Sequence, residues 1–196
     1  YNWGDTSLLA SYQALREAGA QVIVLVANET EGSLLVREMA GLPREQRLPV
    51  ISHWGITGGE FARMAGPGLD EIDLAVVQSF SFVGARSPAA QRVLAALTRG
   101  WGHATPEQVP SPVGVAHAYD LMHLLARAID KAGSTDRRAV RDALEQLGPY
   151  DGLVQRYARP FTPTRHDALG PERIFFARYT ASDELIPMAP APHRRP

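Results

Sequence analysis

The chain has 196 residues, 45% of them hydrophobic and 21% charged, with a net charge of -1 at pH 7 and no cysteine. That length buries one sound core or two small lobes. The near-zero charge argues against a nucleic-acid binder, and the lack of thiols excludes disulfides, cysteine nucleophiles and thiolate metal sites. No apolar run has the length of a membrane span, and Tyr1-Asn2-Trp3 reads as mid-domain sequence, not as a secretory leader. Lys131 is the only lysine, so arginine carries nearly all the basic charge.

Asp5 or Thr6 is placed to cap a helix bearing Leu8, Leu9, Tyr12, Leu15 and Ala18 at helical spacing, with Gly19 at its end. The continuous apolar run Gln21 to Ala27 predicts a parallel strand covered on both faces. Asn28 to Gly32 is polar and predicts a turn, and Ser33 to Ala40 a short helix. Val50 and Ile51 predict a buried strand running into Ser52, His53 and Trp54. Gly55, Gly58 and Gly59 then allow a tight turn before a helix from Glu60 to Ala65. Gly66-Pro67-Gly68 breaks the chain again, and Leu74 to Gln78 predicts a third strand ending in Ser79-Phe80-Ser81-Phe82. Strands alternating with helices over short connections imply a parallel sheet with right-handed crossovers. The ends of the three strands then share one edge of the sheet, where ligands bind in open α/β folds.

Beyond Phe82 the pattern turns helical. Pro88 to Arg99 predicts a helix and Gly100 to Pro112 a loop. A long helix follows from Val113 to Ala132, with Val115, Tyr119, Met122, Leu125, Ala126 and Ile129 as its apolar face. Gly133 ends it, and Ser134-Thr135-Asp136 starts another helix to about Leu147. Leu153 to Tyr157 and Arg173 to Tyr179 read as extended, with Pro160, Pro163 and Pro171 keeping the stretch between them irregular. Residues 188–196 read as a disordered tail.

The candidate ligand-binding residues lie at the shared strand edge: Asn28, Glu29, Ser52, His53, Trp54, Thr57 and Phe80. Each also has a structural reading. Ser52 to Trp54 would cap and pack the turn, Asn28 and Glu29 would be an exposed polar loop, and Phe80 with Phe82 would pack a core or hinge. His117, Tyr119 and His123 read as helix–helix packing. The glycines are not spaced as a dinucleotide fingerprint and there is no Walker lysine. His53, His103, His117 and His166 lack the spacing of a zinc site. His166-Asp167 has no nucleophile-elbow serine to work with. No catalytic or metal residue and no cofactor is therefore assigned.

Four stretches together carry a resemblance. They are "LREAGAQVIVLVANETEGSLLVREM", "LPVISHWGITGGEF", "VGVAHAYDLMHLLARAIDKAGSTDRRAVRDALEQL" and "YDGLVQRYARPFTPTRHDAL" followed by an aromatic strand. In that order and spacing the chain resembles the type 1 periplasmic binding proteins, in particular the Leu/Ile/Val-binding branch of ABC transporter solute receptors, from about Asp5 to Pro187. The resemblance implies an α/β fold of two lobes that clamp a ligand, here most of the second lobe plus helices of the first. It implies residues 1–82 as a second-lobe α/β unit, 83–150 as a helical segment belonging largely to the first lobe, and 151–187 as closing β segments of the second. It further implies a C-terminal fragment, with a missing N-terminal lobe or another chain completing the fold. The function implied is non-enzymatic: periplasmic or extracytoplasmic binding of an amino acid or related polar or amphipathic solute, delivered to an ABC permease. A ligand-sensing regulator of the same fold is the alternative, and a hydrolase-like enzyme a more distant one. Amino-acid receptors of this kind usually hold the ligand ammonium with an acidic residue in the turn after the second strand, where the matching position in this chain is Trp54 or a neighbour of it. The departure suggests an aromatic wall, with any cation met by the ring face, Glu29 or Glu31.

Overall fold

The computed structural model describes residues 1–102 and 105–189. His103 and residues 190–196, most of the expected tail, lie outside the described residues. In chain order the elements are α1 (Leu9–Glu17), β1 (Ile23–Leu25), α2 (Glu29–Ala40), β2 (Val50–Ser52), α3 (Phe61–Ala65), β3 (Leu74–Gln78), α4 (Pro88–Trp101), α5 (Pro112–Ala132) and α6 (Arg137–Leu144). A hairpin of β4 (Tyr150–Asp151) and β5 (Arg156–Tyr157) follows, and β6 (Phe175–Tyr179) and β7 (Leu185–Pro187) close the chain.

The main sheet has the order β1-β2-β3-β6-β7. Its first three strands are parallel, in the register Ile23 to Val50 to Leu74, as the strand–helix alternation predicts. β6 pairs antiparallel with β3, and β7 antiparallel with β6. The inward residues Ile23, Leu25, Val50, Leu74 and Val76 share one core with Tyr12 of α1, Val36 and Met39 of α2 and Phe61 of α3. A second core gathers Phe80, Phe82, Ala90, Val109, Ala116 and Leu153, under α4 and the start of α5.

Several expectations are corrected. β1 is covered on one face only: Ile23 and Leu25 are buried, while Val24 and Val26 on the other face are 73% and 68% exposed. Crossovers of one hand between strands laid down in sequence put α2 and α3 on the same side of the sheet, so the opposite face stays bare. The polar stretch after β1 is not a turn but the first turn of α2, where Glu29 and Glu31 meet the positive end of the helix dipole. Gly32 belongs in that helix because a Cβ there would come within 2.9 Å of Ile56 Cγ2. The N-cap of α1 is Leu8, with no side-chain cap, in place of Asp5 or Thr6. On α5 the buried stripe runs through Val113, Ala116, Asp120, Leu124 and Ala128. The stripe of larger residues expected inside is in part the bare one, with Met122 66% and Leu125 39% exposed. Small residues let α5 approach its neighbours closely, and Asp120 is buried because it is fully hydrogen-bonded. The segment expected to be extended from Leu153 to Tyr157 is a strand only at Arg156–Tyr157, which pairs in a hairpin with Tyr150–Asp151; β7 falls within the closing β stretch expected over residues 151–187.

Candidate ligand-binding site

The parallel sheet carries the ends of β1 and β2 to one edge. There the His53 N–H donates to the Leu25 carbonyl (2.9 Å), extending the pairing of the two strands by one residue. The chain then folds into a single 3₁₀ turn, Trp54–Thr57. Two bonds close it: the Gly55 N–H donates to His53 Nδ1 (3.0 Å) and the Thr57 hydroxyl to the Trp54 carbonyl (2.7 Å). Gly55 is required, because a Cβ would stand 2.9 Å from the carbonyl oxygen of Ala27, just past the end of β1. The Ser111 N–H donates to the Thr57 carbonyl (2.8 Å) and so ties the start of α5 to the same turn.

These segments line an open cavity of 560 Å³. Its polar wall is Asn28, His53, Trp54 and Ser111, its floor is backbone at Gly55 and Gly58, and Tyr1, Val26 and Ala27 complete it. Asn28 and Ser111 are the residues preceding α2 and α5, and neither side chain caps its own helix, so both are available to a ligand. Trp54 is half-buried between two imidazoles, with ring centroids 5.0 Å from His53 and 6.2 Å from His117, the latter edge-on. His117 Nε2 lies 2.9 Å from Ser79 Oγ at the end of β3. Burial holds the His117 pKa below its ordinary value of 6.5, partly opposed by the Asp120 charge, so the ring beside the indole is neutral at pH 7. Because Gly55 donates to His53 Nδ1, a neutral His53 carries its proton on Nε2 and offers a donor there.

Of the residues expected at the site, the structure brings Asn28, His53 and Trp54 to this cavity. The other four lie elsewhere. Ser52 is fully buried, its hydroxyl within reach of the Leu25 and His53 carbonyls. Thr57 is buried with its hydroxyl used in the turn. Glu29 packs behind the glycine turn, so close that a Cβ on Gly58 or Gly59 would meet its carboxylate at 3.3 or 3.1 Å. Phe80 stacks edge-to-face on Phe82 (4.9 Å) inside the second core. Sequence reasoning missed Ser111 and the Ser79–His117 pair. Ser111-Pro112 is a helix-start signal, since proline favours the first helical position, but it sat within a stretch read as loop. His166 and Asp167 border a separate 380 Å³ pocket. His166 there stands 3.8 Å from Glu145, with no serine or threonine among the pocket's lining residues. Among the described residues no group of side chains is arranged to hold a metal ion, and no helix is long and apolar enough to cross a membrane.

A family model described as periplasmic binding protein matches residues 1–183. No curated protein matches the chain by sequence. Among solved structures, a periplasmic binding protein type 1 from Bordetella pertussis Tohama I superposes with a TM-score of 0.77 at 24% identity, covering 96% of this chain and 51% of its own. A leucine binding protein, LivK, from Thermotoga maritima MSB8 gives 0.74 at 16% identity, covering 96% and 49%. An ABC transporter solute binding protein from R. palustris in complex with benzoate gives 0.70 at 11% identity, covering 96% and 48%. The chain thus spans about half the length of the structures it matches.

Proposed function

We propose a solute-receptor function on one premise: the chain belongs to the periplasmic binding protein family. Members of this family are ligand-binding receptors and not enzymes. The specific reading is that this chain forms most of one lobe, with helices of the other, of an extracytoplasmic receptor that takes up an amino acid or related amphipathic solute and presents it to an ABC permease. One observation carries it: Asn28, His53 and Trp54 meet at the carboxyl ends of adjacent parallel strands, around a cavity large enough for a small molecule. A similar structure named as a leucine binding protein and another solved in complex with benzoate are consistent with a site whose ligand varies on a constant fold. Contacts from both lobes would favour the closed state, and a permease would read that closure.

The test is calorimetric titration of the full-length receptor with amino acids, amides and aromatic acids, repeated on Trp54→Ala. Loss of the indole wall is expected to weaken the best ligand by roughly tenfold or more, about 1.4 kcal/mol. Unchanged affinity in a variant with intact circular dichroism would show that the turn is structural and that the solute binds elsewhere.

A further inference from the structure

Trp54 is the largest side chain on the cavity, yet its own turn does not fix its ring. The turn uses only the Trp54 carbonyl, and among the described residues no hydrogen bond reaches the indole N–H. The indole is held by packing. His53 packs on it, but His53 is exposed and bonded only within its own turn. The first turns of α5 pack on it as well. A Cβ on Gly114 would stand 3.8 Å from Trp54 Cζ3, and the half-buried His117 ring meets the indole edge-on. His117 is the firmer of the two imidazoles, because its Nε2 is tied to Ser79 Oγ at 2.9 Å. Ser79 follows directly on β3, whose backbone is paired on both sides, with β2 and β6. An imidazole bonded at one nitrogen keeps one setting of a torsion that is otherwise broad and two-fold. Neither Ser79 nor His117 lines the cavity, so neither touches a solute seated there. Their influence on it runs through the indole.

We propose that Ser79 and His117 are positioning residues for solute binding: their hydrogen bond fixes the imidazole against which Trp54 stands, so the aromatic wall is set before the solute arrives. The inference rests on reading this cavity as the solute site. A wall already held in place spares the solute the cost of ordering it. The relay joins three segments far apart in sequence: the turn after β2, the end of β3 and the start of α5. A shift of α5 relative to the sheet therefore reaches the indole.

The experiment uses the full-length receptor and two readouts. The first is calorimetric affinity for the tightest of leucine, phenylalanine, phenylacetamide and benzoate. The second needs no ligand: the near-ultraviolet circular dichroism of Trp54, taken as the difference between the receptor and Trp54→Ala. Ser79→Ala removes the bond and leaves both rings in place. It is expected to weaken the best probe by roughly three- to tenfold and to shrink the Trp54 band, with the far-ultraviolet spectrum unchanged. Ser79→Thr, which restores the hydroxyl, should recover most of both losses. In the Trp54→Ala background Ser79→Ala should cost nothing further, since the indole it acts through is gone. A merely structural serine would weaken binding equally in both backgrounds, and that result overturns the proposal. So does a Trp54 band unmoved by Ser79→Ala. Failure of the site reading looks different. If Trp54→Ala leaves the best probe's affinity unchanged, or none of the four binds at millimolar concentration, the cavity is not the solute site and the positioning role falls with it. If Trp54→Ala weakens binding while Ser79→Ala changes neither affinity nor band, the site stands and the relay alone is refuted.

Discussion

Removing the Asp120 carboxylate is expected to loosen the closing hairpin from the long helix, because this side chain is the anchor of both. Asp120 is 2% exposed. It accepts from the Leu153 N–H (2.5 Å), the Val154 N–H (3.0 Å), the Tyr157 hydroxyl (2.9 Å) and the Tyr150 hydroxyl (3.3 Å). In Asp120→Ala the half-buried Tyr150 hydroxyl can turn toward water, but the buried Tyr157 hydroxyl and the two backbone donors are left in a dry site, each at about 1–3 kcal/mol. The expected loss is roughly 3–5 kcal/mol, the range for breaking a buried charged network by removing one member. Against a typical stability of about 5–15 kcal/mol this is large, and at about 2–4 °C per kcal/mol for a chain of this size it lowers Tm by roughly 6–20 °C. Asp120→Asn keeps one oxygen but points an amide donor at the remaining donors, so it should lose about 2 kcal/mol. Urea unfolding followed by circular dichroism measures both. A loss below about 1 kcal/mol for Asp120→Ala would mean that the hairpin is held by packing alone and that the network is incidental.

The same hub gives a steric prediction: Gly152→Ala places a Cβ 2.7 Å from both Asp120 oxygens and from the Tyr157 ring, which should destabilise by roughly 1–3 kcal/mol in the same urea assay. Burial first, and the Asp120 charge second, raise the Tyr150 and Tyr157 hydroxyls above their ordinary value of 10.0. The stability this contributes is complete below pH 10 and is lost as pH rises beyond it. Absorbance at 295 nm should therefore show these tyrosines ionising only as the protein unfolds, and in step with the free residues if the network is absent. For His117 the sign reverses: burial depresses its pKa below 6.5, so its contribution is present above pH 6.5 and fades as pH falls through the depressed value. NMR titration should find its midpoint below 6.5, and the loss of Tm between pH 7 and pH 5 should shrink in His117→Gln.

The parallel sheet was legible because period and composition agreed. β3 occupies the predicted span Leu74–Gln78, and β2 begins at the predicted Val50. The register followed from topology without any need for side-chain detail. What sequence could not supply was direction across a helix. On α5 large apolar residues and small ones make two plausible stripes, and the choice between them depends on what is packed alongside. The burial of Asp120 settles it here, through partners more than 30 residues away in sequence. The first turn of α2 was misread for a related reason. Asn28 to Gly32 has turn composition, but the acidic residues suit a helix start, and Gly32 is there for its contact with Ile56. At the candidate site, Asn28, His53 and Trp54 were legible as strand-end residues. Glu29 was not placed correctly in the cavity because one residue further along a helix start turns the side chain behind the wall. Ser111 was invisible because its approach depends on a hydrogen bond to Thr57, more than 50 residues away in sequence.

Two apolar surfaces remain bare, and they bear on how the cavity is closed. One is the sheet face of Val24 and Val26, continued by Phe176 on β6 at 44% exposure. The other is the α5 stripe, where Leu121 is 56% and Met122 66% exposed. β1 is also an edge strand with its outer hydrogen-bonding groups free for pairing. Exposed apolar area costs about 25 cal/mol per Å², so surfaces of this kind call for a cover. The chain spans about half of the structures it matches, and on the proposed reading the other half supplies that cover. The Val26 side of β1 leads directly into Ala27 and Asn28 at the cavity wall, so a segment added along this edge would reach the solute as well. Covering the sheet and completing the solute site would then be one event, with the apolar burial stabilising the lobe and the added polar groups finishing the recognition begun by Asn28, His53 and Trp54.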